Sequence, residues 1–144
     1  MWFTLSTLFG VEFSKRHVYK LNVVDILTQK HFEDGIGRGS HPIDIYPLPK
    51  EIEEIPPVDE FYFEIPYSCL LPENVSNLLI AGRCVSATRE ASGCIRPTAT
   101  CMVIGEAAGT AAAILCKDGT NKAKDVDIQK LRTTLKENGV MHHK

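Results

Sequence analysis

Residues 16–23, Arg16-His17-Val18-Tyr19-Lys20-Leu21-Asn22-Val23, partly alternate polar and apolar and are rich in β-forming side chains, which predicts a half-buried strand. Residues 24–31 fit either a short helix, with Val24 and Leu27 on one side, or a connecting turn, and we read them as helix. Alternation returns in Ile43-Asp44-Ile45-Tyr46, predicting a strand over 42–46. The aromatic run Phe61-Tyr62-Phe63-Glu64-Ile65 predicts another over 60–66, closed by Pro66. Leu78-Leu79-Ile80-Ala81-Gly82 is a short continuous apolar run, which fits a strand buried on both faces.

The pattern then becomes helical. Residues 98–117 have helical length and many small side chains, and Gly105 and Gly109 fall four apart, on one face. Glycine inside a helix costs about 1 kcal/mol against alanine, so something should approach that face closely. Either it packs tightly on a sheet or another helix, or a cofactor lies along the helix start. A last helix over 125–138 places Ile128, Leu131 and Leu135 on one stripe, with Asp125 and Asp127 at its start and Gly139 as its stop. The fold class is therefore α+β: a mostly antiparallel sheet with a buried strand, and two C-terminal helices.

Between the predicted elements lie two segments of unusual composition. Gly35-Ile36-Gly37-Arg38-Gly39-Ser40-His41-Pro42 reads as a tight glycine loop feeding a strand. It superficially resembles a phosphate cradle, but the GxGxxG spacing is absent and no helix follows. Residues 47–58 hold four prolines and three glutamates and should form an exposed, extended loop. Its glutamates, Glu51, Glu53 and Glu54, are read as solvated rather than as an acid/base pair.

Composition narrows the picture further. At 144 residues the chain suits a single domain over 1–144. Its 44% hydrophobic and 24% charged content permits a packed core. A net charge of -2 with no basic cluster argues against nucleic acid as a partner. The longest nearly apolar run, 107–116, is short of the ~20 residues a membrane span needs, so no membrane association is expected. The apolar N-terminus lacks a positive leader and a small-residue cleavage site, and the expected location is cytoplasmic. Five cysteines include no CxxC pair, which points to reduced thiols and to no metal site. His142 and His143 read as a frayed terminus.

The chemistry concentrates in residues 77–102. There a predicted strand ends at Gly82, an irregular loop follows, and a long helix begins near Thr98. Ligands in such layouts bind beyond the carboxyl end of the strand. The helix start offers unpaired amides and a positive dipole end, and Arg83, Arg89 and Arg96 lie in the approach. A phosphate, a carboxylate or the electron-rich edge of a flavin ring would suit this seat.

The runs Ile80-Ala81-Gly82-Arg83-Cys84-Val85-Ser86-Ala87-Thr88 and Arg96-Pro97-Thr98-Ala99-Thr100-Cys101-Met102-Val103-Ile104-Gly105-Glu106-Ala107-Ala108-Gly109 resemble the C-terminal flavin-contacting segment of the FAD-dependent oxidoreductase family. Gly37-Arg38-Gly39-Ser40-His41-Pro42-Ile43-Asp44-Ile45, Glu64-Ile65-Pro66-Tyr67 and Pro72-Glu73-Asn74-Val75-Ser76-Asn77 follow the same family order, as does the closing helix. The resemblance covers nearly the whole chain from about Gly10. It implies the C-terminal part of a flavoenzyme whose ADP-binding half carries GxGxxG, a motif this sequence lacks. The family's arginine-rich motif is replaced here by Glu12-Phe13-Ser14-Lys15-Arg16.

Carried over residue by residue, the resemblance implies FAD as cofactor. Gly82, Arg83 and Ser86 would lie near its ribityl or pyrophosphate part. Arg96, Thr98, Thr100, Cys101 and Met102 would surround the pyrimidine edge, and Arg38, His41 and Tyr67 would stand on the substrate side. Without that context, a structural ion pair is the alternative reading of Arg83 and Arg96, and His41 reads as a loop histidine rather than an acid/base group. Cys101 gains nucleophilic character from the helix start, but no histidine base can be assigned to it, and no catalytic residue is named. The expected partner is a second chain carrying the ADP-binding half, or a second copy of this chain covering the glycine–alanine face of residues 105–113. Without such a half, the chain is expected to be inactive alone, and a catalytically silent remnant is the other outcome the sequence leaves open.

Overall fold

The computed structural model describes residues 17–45 and 61–140. Arg16, the Tyr46 end of the second predicted strand, the proline–glutamate loop at 47–58, residue 60 and the terminal histidines lie outside the described residues. The fold is α+β, with one two-stranded antiparallel sheet among the described residues and helices packed against it.

The first element, helix α1 (Val23–Leu27), begins in a capping box. Asn22 Oδ1 accepts from the Val24 and Asp25 amides, and Asp25 Oδ2 accepts from the Asn22 amide. The helix is shorter than the predicted 24–31, because Gln29 turns to φ 50°, a left-handed conformation that ends it. The preceding residues do not form the expected strand. His17 bridges Pro72 and Leu21 bridges Ala87, so the segment divides its bonds between two partners and builds no ladder.

Strand β1 (Gly35–Gly39) occupies the glycine run that the sequence presents as a loop. It pairs with β2 (Phe63–Pro66) in the register Gly37↔Ile65, Arg38↔Glu64 and Gly39↔Phe63, with an irregularity between Gly35 and Gly37. The glycines serve contact here rather than turn geometry, since none of the three has a positive φ. A Cβ on Gly39 would stand 2.4 Å from the Phe63 ring, and one on Gly37 would stand 2.3 Å from Val103 Cγ1. Two further strand expectations fail. Residues 41–45 are irregular, although Ile43 is buried, and residues 78–82 pair with no strand among the described residues, with Leu78 exposed. That apolar run leads instead into a 3-10 turn, Gly82–Cys84, entered through Gly82 at φ 68°.

Helix α2 (Arg89–Ile95) occupies a stretch that reads as irregular; Thr88 caps it through an Ala91 N–H bond of 3.3 Å. Helix α3 (Thr98–Lys117) has the predicted span. Helix α4 (Ile128–Glu137) starts three residues later than expected, after a 3-10 turn at Ala123–Asp125. Asp127 Oδ1 caps it by accepting from the Gln129 and Lys130 amides, and Gly139 follows at φ 85°.

The core lies between the sheet, α3 and α4. Ile36, Phe61, Phe63 and Ile65 meet Ile104, Ala107 and Ala111 of α3 and Leu131 and Leu135 of α4 in one buried cluster. Helix α3 is long and apolar enough, by length and composition, to cross a membrane, with a mean hydropathy of 1.6. The ten-residue run noted in the sequence understates it, because the helix continues through Val103 and Ile104. Its buried side is nevertheless committed to the core of this chain.

Candidate functional site at the elbow before α3

Helices α2 and α3 meet at Arg96-Pro97, and this elbow sets where the α3 start points. Pro97 has no amide hydrogen and gives α3 no side-chain cap. The first intrahelical bond joins the Cys101 amide to Pro97 O at 3.0 Å. The amides of Thr98, Ala99 and Thr100 therefore precede the helical ladder, and Thr98 and Ala99 are exposed. Such a turn favours negative charge.

The arginines expected near it are present but engaged. Arg83 Nε donates to Arg96 O at 3.1 Å. The Arg96 guanidinium pairs with the Asp44 carboxylate and donates to Asp44 O at 3.3 Å. Arg96 thus makes a structural ion pair, one of the two readings open for these arginines, whereas Arg83 is bonded to a backbone carbonyl. Asp44 is a partner that no sequence pattern marks, since 52 residues separate it from Arg96.

The remaining expected cofactor residues divide by direction. Gly82 has open space within 4 Å of where a Cβ would stand, among the described residues, and Met102 is 68% exposed. Ser86 is fully buried, with its amide on Cys69 O and its carbonyl accepting from Leu21. The Thr100 side chain is also buried, which leaves its amide as the part that faces the helix start. Cys101 Sγ donates to Ile95 O at 3.4 Å. Burial pushes its thiol above the ordinary range, and Arg83 opposes this only in part. The uncapped turn, Gly82 and the arginine pair thus suit an electron-rich ring edge, whereas Ser86 is buried.

Of the substrate-side candidates, Arg38 stands apart from the elbow. Arg38 lies beside Glu64 (3.5 Å) and over the Tyr62 ring (4.4 Å). Gly37 faces Val103 of α3, and alternation along β1 sends Arg38 to the opposite face of the sheet. Glu64, 3% exposed, also accepts from the Phe32 amide at 3.0 Å and meets His31 Nδ1 at 3.0 Å. Sequence reasoning missed this cluster because only the β1–β2 register makes Arg38 and Glu64 neighbours. His41 Nδ1 lies 2.8 Å from Pro42 O. The Tyr67 hydroxyl donates to Ala123 O at 2.8 Å, and burial drives its pKa far above the ordinary range. A cleft of about 260 Å³ between Val18, Leu71, Val75 and Lys124 contains none of the expected site residues. No cluster of three or more metal-ligating side chains occurs among the described residues.

The expectation of close packing at Gly105 and Gly109 is not met among the described residues. Both are exposed, with nothing within 4 Å of a built Cβ among the described residues. With Met102, Ala112, Ala113 and Cys116 they form a bare, small-residue side of α3.

Fold and elbow together define an α+β protein that presents an uncapped helix start beside a glycine turn. A family model described as FAD dependent oxidoreductase matches residues 16–135 of the 144. The chain belongs to that family. No curated protein and no solved structure matches it significantly.

Proposed function

We propose that this chain supplies the flavin-side helix start of an FAD-dependent oxidoreductase and works with an ADP-binding part that carries GxGxxG. The observation that carries the reading is the exposed, uncapped first turn of α3, lying inside the segment that matches the family. Bound there, FAD would supply two-electron redox chemistry. The chain's own residues would do the rest. The amides of Thr98, Ala99 and Thr100 and the nearby Arg83 would stabilise negative charge on the pyrimidine edge. Gly82 would let the backbone of its turn approach the cofactor, and Met102 would flank it.

In this reading the ADP-binding part covers the bare side of α3, where glycines allow close backbone approach. All five cysteines are free, which supports a reducing, cytoplasmic setting. The test is flavin retention after gel filtration, read at the flavin absorbance near 450 nm, for the chain alone and after mixing with the GxGxxG-bearing part. Stoichiometric FAD in either preparation is the expected result. Absence from both at ~100 μM, where even weak sites begin to fill, overturns the reading. Light scattering on the same samples shows whether the bare side is covered by that part or by a second copy of the chain.

A further inference from the structure

We infer that Asp44 is a positioning residue that fixes, through Arg96, the direction of the α3 start. The functional meaning of this assignment rests on the flavin reading above, but its geometry does not.

Helix α3 has no side-chain cap of its own, so the elbow before it must be held from outside. Three neighbours converge on Arg96. The Arg83 side chain donates to its carbonyl at 3.1 Å, Cys101 Sγ reaches the same carbonyl at 3.6 Å, and Asp44 holds its guanidinium through both carboxylate and backbone oxygen. The Asp44 backbone is itself wedged against α2. A Cβ on Gly93 would come within 3.1 Å of Asp44 N and O and 2.9 Å of Ile45 Cγ2. Gly93 thereby lets the 41–45 segment lie directly on the helix, and Ile43 anchors that segment in the core. The Asp44 carboxylate is thus the side-chain part of the contact between the 41–45 segment and the flavin-side turn, beside the bond from Arg96 to Asp44 O.

Two consequences follow. Asp44 limits the swing of the elbow, and it balances the Arg96 charge beside the turn that would face the pyrimidine edge. The pair is solvent-exposed, at 55% and 59% for the two side chains, so its loss should act locally rather than unfold the protein.

The experiment compares wild type, Asp44→Ala and Asp44→Glu. Amide hydrogen exchange is measured on the chain itself, and flavin retention and the flavin reduction potential are measured on the FAD-loaded protein. Asp44→Ala should speed exchange about two- to fivefold at the bonded amides of residues 101–104, leave those of α4 unchanged, and be reversed by Asp44→Glu. In loaded protein it should shift the flavin potential upward, because an unbalanced Arg96 favours the reduced, anionic ring. Unchanged exchange at 101–104, or an equal rise in α4, overturns the assignment. Absence of flavin from wild type with the expected exchange pattern sinks the flavin reading and leaves Asp44 as the brace of the elbow. Retained flavin with unchanged exchange does the reverse.

Discussion

Replacing Gly105 and Gly109 by alanine should stabilise the isolated chain. Both lie inside a 20-residue helix, both are exposed, and among the described residues no atom stands within 4 Å of either new methyl group. With no steric cost, only the backbone preference remains, about 1 kcal/mol in favour of alanine at each position. Summing the two preferences, the double variant should gain about 2 kcal/mol. For a chain of this size that corresponds to a rise of about 7 °C in the unfolding midpoint. The assay is thermal unfolding followed by far-ultraviolet circular dichroism, with light scattering to confirm a monomer. A fall in midpoint would refute the argument, because it would mean that something already lies against the glycines in solution. The sign should reverse with the ADP-binding part present. There the two methyl groups would intrude on a close interface, at about 1–3 kcal/mol, and weaken association while the free chain grows more stable.

Two other perturbations test the interior. Gly39→Ala places a methyl group 2.4 Å from the fully buried Phe63 ring and should destabilise by about 1–3 kcal/mol, measured by urea unfolding; a neutral result would mean that the ring has room to move. Burial raises the Cys69 and Cys94 thiols from about 9 in the unfolded chain to about 12, so the native state holds protons that the unfolded state has released, and stability should fall as pH rises from 9 towards 12. Both thiols should resist a disulfide reagent at pH 8 until denaturant is added, whereas exposed Cys116 reacts at once; rapid native modification of all five would contradict this burial.

What the sequence determined was mainly local. The span of α3, the stripe and caps of α4 and the β2 strand are set by periodicity and capping residues, and these were legible without a fold. So was the family, because its motifs run collinearly along the chain. Legibility failed where an element depends on a distant partner. The glycine run at 35–39 reads as a loop, since glycine is a poor strand former, yet Phe63 and Val103 require bare backbone there and make it β1. The apolar run at 78–82 has the composition of a buried strand, but among the described residues no other strand lies alongside to receive its bonds. At the site, Arg83, Arg96 and the helix start were visible in the sequence. Tertiary structure alone decided that Arg96 answers to Asp44, that Ser86 is buried and that Arg38 belongs with Glu64 on the far side of the sheet. Charge type is written in the chain, but pairing is a property of distances that only packing sets.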